Sequence, residues 1–164
     1  MFQFTKDLSS YLVKIFFTLY QNLFEMTKRK NSIFSIQPLS LDLAALILRV
    51  IGGGLMMMLH GYPKLMKLSG NGPIKFADPI GIGEFNSLLL AIFSEFVCSA
   101  LLILGLFTRL ALIPLIITML VILFIVHAGD PIGDIEMAIL YAAIFVALLF
   151  SGPGKWSVDA LIKK

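Results

Sequence analysis

From about residue 39 the chain alternates long apolar runs with short stretches of glycine, proline and charge. A bilayer core about 30 Å thick takes roughly 20 mostly apolar residues at about 1.5 Å each. Four runs meet that requirement, and they predict membrane spans over about 39–60, 84–106, 110–127 and 134–151. Glycine and proline punctuate helices, so His60-Gly61-Tyr62-Pro63 reads as the end of the first span and 61–83 as an exposed loop. Gly105-Leu106-Phe107-Thr108-Arg109 is short enough only for a tight turn between antiparallel helices. Pro114 falls in about the first turn of the third span, where proline is best tolerated. His127–Gly133 forms the next turn, and Ser151-Gly152-Pro153-Gly154 stops the fourth span before a tail of residues 155–164.

The first 38 residues follow a different pattern. Leu8, Tyr11, Leu12, Ile15, Phe16, Leu19, Leu23 and Phe24 recur at spacings of three and four, with Lys6, Asp7, Lys14 and Glu25 between them. This predicts an amphipathic helix on a membrane surface or on the bundle, followed by a linker over 31–38. Lys14 interrupts the apolar run and no small-residue site precedes Lys28-Arg29-Lys30, which argues against a cleaved signal peptide. The fold class expected is all-α, an integral membrane four-helix bundle (residues 39–164) with an extra N-terminal amphipathic helix that, with its linker, takes up residues 1–38.

Composition supports the membrane reading: 59% of residues are hydrophobic and 14% charged, against about 25% charged in soluble domains. The net charge of +3 and the absence of a basic stripe give no reason to expect a nucleic-acid partner. Lys28, Arg29, Lys30, Arg109, Lys155, Lys163 and Lys164 fall on one side of the spans, and Lys64, Lys67 and Lys75 on the other. The positive-inside rule then places both termini in the cytoplasm. The lone Cys98 excludes an internal dithiol relay and reads as a small buried apolar residue.

Charge inside the spans is the candidate chemistry, because intramembrane ionisable groups are costly and face protein or water. Arg49 and Glu95 both count to the middle of their spans, which suggests an ion pair at equal depth or, alternatively, a polar floor for a ligand or proton site. At the far end His60, Lys64, His127 and Glu136 gather on one side by alternation of the spans. Arg49 and His60, three helical turns apart, share a face and invite a common cavity. Two histidines and a carboxylate suffice for a metal and two histidines for a haem, but the local spacing is diagnostic of neither, so no metal site is assigned. A hydrogen-bonded polar cap and a site for a quinone or similar apolar ligand are the other readings. Gly52-Gly53-Gly54 suits close helix packing, Met56-Met57-Met58 a lipid-facing surface, and Tyr62, Tyr141 and Trp156 interfacial anchors. Asp159 is placed to tie the tail to Arg109.

Taken together, Arg49 with its following glycines, His60-Gly61-Tyr62-Pro63-Lys64-Leu65, Phe76-Ala77, Glu95, Gly105-Leu106-Phe107-Thr108-Arg109, His127, Glu136 and Gly152-Pro153-Gly154-Lys155-Trp156-Ser157-Val158-Asp159 resemble the DoxX family of small bacterial membrane proteins. The resemblance covers about residues 43–159 and implies a four-helix bundle in the bacterial inner membrane. It further implies association with quinone-linked oxidoreductases and with resistance to quinones and oxidative stress. Two functions follow as expectations. One is a membrane subunit of a redox system, not autonomous as an enzyme, that binds a quinone-like ligand through Arg49, His60, Lys64 and Glu95 with His127 and Glu136, beside a soluble or membrane oxidoreductase partner. The other is a non-catalytic membrane scaffold or assembly factor for a partner protein, with a homo-oligomer also open, in which the same polar residues and Gly52, Gly53, Gly105, Arg109, Gly152, Pro153 and Asp159 specify packing.

Overall fold

The computed structural model describes residues 40–70 and 72–162. The amphipathic helix and linker expected over 1–38 lie outside these residues. Among the described residues four helices are long and apolar enough to cross a membrane: α1 Leu41–Leu68, α2 Glu84–Leu104, α3 Thr108–Val126 and α4 Ile132–Ser151. A short α5, Val158–Ile162, closes the described chain. No strand occurs among the described residues. The helices run up and down in chain order; α1 packs on α2 and α4, and α3 on α2 and α4, which closes a ring. The buried centre includes Leu102, Leu112, Leu115, Phe145 and Leu148, all 0% exposed, while residues such as Leu110, Phe124 and Phe150 point outward. In lipid an apolar outward face costs nothing, so close packing and polar links must hold the bundle.

Glycine supplies the close packing between α1 and α2. A Cβ on Gly53 would stand 3.3 Å from the Ser99 carbonyl oxygen, and one on Gly61 only 2.7 Å from that of Glu95. Gly52 meets the Ile144 side chain of α4, whereas Gly54 faces open space.

The first span is longer than its sequence suggests. Helix continues about two turns past His60, so 62–68 is helix and not loop. The reason lies in a π-helical turn, Met56–Gly61, whose wide register lets the Tyr62 N–H donate to the Met57 carbonyl five residues back. Proline has no N–H to give, and its ring presses on the carbonyl four residues earlier. A widened turn just before Pro63 relieves that clash without ending the helix. Similar π turns occur at Phe93–Cys98 in α2 and Ile122–Val126 in α3, and those of α1 and α2 pack on each other. Pro114 sits two residues deeper into α3 than the expected span suggested, because the helix begins at Thr108.

The tail straps the opposite end. Gly105 ends α2 in the left-handed region (φ 69°), its N–H donating to the Leu102 carbonyl and that of Leu106 to Leu101, a Schellman close. Phe107 is also left-handed (φ 48°), a costly conformation for a side-chain-bearing residue. The Asp159 carboxylate holds it there, accepting the N–H groups of Phe107 (2.8 Å) and Thr108 (2.9 Å) at the start of α3. The Asp159 N–H in turn donates to the Gly105 carbonyl. Gly152 and Pro153 lead out of α4, the Gly152 N–H donating to Leu148. Lys155 then donates its N–H to Asp42, and the two side chains form an ion pair at 3.3 Å.

Candidate functional site

The intramembrane charges fall into two separate groups. Arg49, fully buried, belongs to the tail end of the bundle: its Nη2 donates to the Trp156 carbonyl at 2.7 Å, and its guanidinium lies on Gly105 so closely that a Cβ there would stand 1.9 Å from Nη1. Asp159 is the carboxylate within its electrostatic reach. The expected Arg49–Glu95 pair is therefore replaced by Arg49 beneath the tail and Glu95 elsewhere. Glu95 is level with Gly61 and Arg49 with Gly105. The residues from Arg49 to Gly61, at about 1.5 Å each, put about 18 Å between the two levels. A span that reaches Leu68 and carries a π turn has a different midpoint from one ending at residue 60. Arg49 consequently lines neither of the cavities described below, and its common cavity with His60 does not form.

The partner of Glu95 is Lys64. The continued helix carries Lys64 one turn past Gly61, and the missing Cβ of Gly61 lets α2 come close enough for the ammonium to meet the carboxylate. Glu95 is 2% exposed and Lys64 23%, so the pair is shielded on the carboxylate side and open on the other. His60, on the same π turn as Gly61, lies within electrostatic range of both. Its ring meets the Tyr141 ring edge-on (centroids 5.7 Å apart, 86° between planes), and Tyr141 stacks on Phe145. Tyr141 is thus a buried residue of the site, 4% exposed, and not the interfacial anchor expected of it, whereas Tyr62 and Trp156 are exposed.

Two cavities share Lys64 and Glu95 as a common wall. The larger, about 330 Å³, lies between α2 and α3 beneath the loop that joins α1 to α2. Phe76, Ala77, Pro79 and Ile80 of the loop line it, with Leu90 and Ala91 of α2 and Ile117, Val121, Ile122 and Val126 of α3. Its other polar side chains, Ser87 and Thr118, are already engaged. Ser87 donates to Asp78 at 2.7 Å, and Thr118 contacts the Ser94 hydroxyl and donates to the Pro114 carbonyl. An ammonium has three donors and Glu95 takes one, which leaves Lys64 able to meet a ligand acceptor. Leu90 and Ile117 are each 54% exposed on the outer face, so the cavity abuts the lipid-facing surface.

The loop is held down at Asp78. Its carboxylate accepts the N–H groups of Ile82 (3.0 Å) and Gly83 (2.8 Å) besides the Ser87 hydroxyl, which fixes the entry to α2. The Ser87 hydroxyl first, then the Gly83 and Ile82 N–H groups, stabilise the charged form and lower the Asp78 pKa below its ordinary 3.8, against the opposing effect of burial. Lys67 donates to the Lys75 carbonyl and lies 5.8 Å over the Phe76 ring, which pins the other side of the loop.

The smaller cavity, about 220 Å³, is lined by Met56, His60, Lys64, Glu95, Met119, Ile122, His127, Asp134, Met137, Ala138 and Tyr141. Met56 is therefore interior, 1% exposed, while Met58 alone of the methionine run is strongly exposed at 62%. His127 approaches the Asp130 carboxylate at 2.7 Å through Nδ1. Glu136 is exposed and lines neither cavity. The inward stripe of α4 runs through Ala138, Tyr141, Phe145 and Leu148; extended back one turn it meets Asp134, whereas Glu136 falls on the other side. Among the described residues no three His, Cys, Asp or Glu side chains come together to hold a metal ion.

An up-and-down four-helix membrane bundle, strapped by its tail at one end and holding a buried lysine–glutamate pair beside an apolar cavity at the other, is the class of protein these features define. The family model for DoxX matches residues 44–128, just over half of the chain, and the chain belongs to the DoxX family. It is 34% identical over 129 residues to an uncharacterized membrane protein of Mycobacterium tuberculosis, covering 68% of this chain and 77% of the relative. It is 36% identical over 116 residues to an uncharacterized protein of Haemophilus influenzae, covering 63% of this chain and 80% of that one. No solved structure matches.

Proposed function

We propose that this DoxX-family protein is a membrane subunit of a redox system and holds a quinone-like apolar carrier in the larger cavity. The observation that carries the reading is the Lys64–Glu95 pair set in the wall of an otherwise apolar chamber of about 330 Å³, within the usual size range of ligand sites. In this role the Lys64 ammonium donates to a ring carbonyl and stabilises charge that develops on it. Glu95 keeps the ammonium in place, and His60 tunes the pair. Leu90 and Ile117 offer a sideways exit for an apolar tail. Arg49, the residue expected to stabilise that charge, belongs to the structural end instead. With a single cysteine the chain has no dithiol relay of its own, so the reading assigns electron supply to a partner oxidoreductase. The bacterial relatives and the lysine and arginine distribution support an inner-membrane position with both termini cytoplasmic.

The test is to purify the protein in mild detergent and analyse its extracted small molecules by mass spectrometry. A quinone present in the wild type and in Arg49→Lys, and lost in Lys64→Met, supports the reading. A protein that retains only phospholipid, binds no added quinone and co-purifies with one stoichiometric protein partner would make it a scaffold.

A further inference from the structure

We infer that the smaller cavity is a hydrated inlet, by which water and protons reach the buried Lys64–Glu95 pair from the end of the bundle that carries His127. The two cavities differ in kind although they share that pair. The larger has its hydroxyls engaged and is otherwise apolar. The smaller adds His60, His127, Asp134 and Tyr141, each able to bond water.

The Tyr141 hydroxyl is the second, independent sign. It is buried, its residue is 4% exposed, and no hydrogen-bond partner meets it among the described residues. Buried hydroxyls are nearly always satisfied, by protein or by ordered water. Here the ring is fixed by His60 on one side and Phe145 on the other, so the hydroxyl cannot turn away to seek a protein partner. A polar cavity with several such groups takes water, whereas an apolar one of the same size stays dry. At about 220 Å³ there is room for several molecules, each occupying ~30 Å³ in the liquid.

The mouth is placed where water is found. His127 closes α3 with its side chain 42% exposed and reaches Asp130, itself 47% exposed, in the turn between α3 and α4. Asp134, exposed, stands in the first turn of α4 on the cavity side. The same lining holds Lys64 and Glu95, with His60 and Tyr141. The three π turns, which widen α1, α2 and α3, all contribute to the wall through His60, Glu95 and Ile122. The inlet adds a proton supply to the ligand site proposed above, but its own existence rests on the cavity lining and the unpartnered Tyr141 hydroxyl.

Thiol chemistry tests it, since methanethiosulfonates react with the thiolate, which needs water to form. In a Cys98→Ser background, Ala138→Cys and Met119→Cys place thiols on two walls of the cavity; Asp130→Cys serves as the exposed reference and Ala111→Cys, 3% exposed and outside both cavities, as the dry one. The full chain in detergent, washed until no quinone can be extracted from it, is treated with the ammonium-bearing ethyl methanethiosulfonate and followed by intact mass, with no quinone added. Reaction at Ala138→Cys or Met119→Cys within about a hundredfold of the Asp130→Cys rate, with Ala111→Cys inert, is the expected result. Two folded cavity variants as inert as Ala111→Cys would overturn the inlet. Because the assay contains no quinone, an open inlet in a protein that binds none would refute only the ligand reading, and a dry cavity in one that does bind would refute only the inlet.

Discussion

Removing one partner of the Lys64–Glu95 pair should cost much more than removing both. Glu95 is 2% exposed and Lys64 23%, so a carboxylate left without its ammonium has only the few waters of the smaller cavity to turn to. Two unit charges about 4 Å apart at an effective dielectric near 20 interact by about 4 kcal/mol. Breaking a buried pair from one side typically costs about 3–5 kcal/mol, whereas replacing both members by apolar or neutral groups of similar volume is often close to neutral. The partial exposure of Lys64 moves the expectation to the lower end. Lys64→Met and Glu95→Gln should therefore each lose about 2 kcal/mol and the double variant only about 1 kcal/mol, short of their sum by about 3 kcal/mol. Reversible unfolding in mixed micelles with increasing dodecyl sulfate, read by far-ultraviolet circular dichroism, measures all four corners of the cycle. Coupling below about 0.5 kcal/mol would refute the pairing. The same cycle on Arg49 and Glu95 should show no coupling beyond that limit, because about 18 Å separates their levels.

Other perturbations follow from the same geometry. Gly61→Ala puts a methyl 2.7 Å from the Glu95 carbonyl, so α1 and α2 must separate; the same unfolding assay should show a loss of about 1–3 kcal/mol. Asp159→Ala strips two N–H acceptors from the start of α3 and should cost about 1 kcal/mol, with faster amide exchange at Phe107 and Thr108. The lowered pKa of Asp78 means that its contribution is present above the ordinary value of 3.8 and is lost as pH falls through the still lower folded value. Amide protection at Ile82 and Gly83 should accordingly hold from neutral pH down to about 4 and decline below it, while Asp78→Asn should already be weakly protected at neutral pH.

The sequence made the spans and the tight turn at Gly105 legible because length and hydropathy decide them, and lipid enforces both. Residues 62–68 were not legible as helix, since glycine and proline ordinarily mark an end and nothing local announces the π turn that carries the helix past Pro63. That one difference moved the midpoint of α1 and with it the partner of Glu95. The motif residues Arg49, Gly105, Trp156 and Asp159 proved to be neighbours, yet their meeting depends on a tail that folds back across the bundle, which no periodicity encodes. Tyr141 and Asp134 did leave a signal, the spacing 134–138–141–145–148 along α4. In a helix apolar on every side that stripe stands out only once the neighbours are known. Asp78 and Ser87 meet through a turn around Gly81 and Gly83, and such side-chain closures are invisible to counting.

The central claim, a quinone-like ligand at Lys64 and Glu95, is tested most directly by photolabelling. The purified protein is irradiated with an azido-quinone, and the modified peptides are mapped by mass spectrometry. Saturable labelling within residues 76–91 of the loop and α2 and residues 117–126 of α3, competed by unlabelled quinone, lost in Lys64→Met and kept in Arg49→Lys, is the result the account expects. Labelling that is unsaturable, that survives Lys64→Met, or that falls at the Arg49 end of the bundle would contradict it.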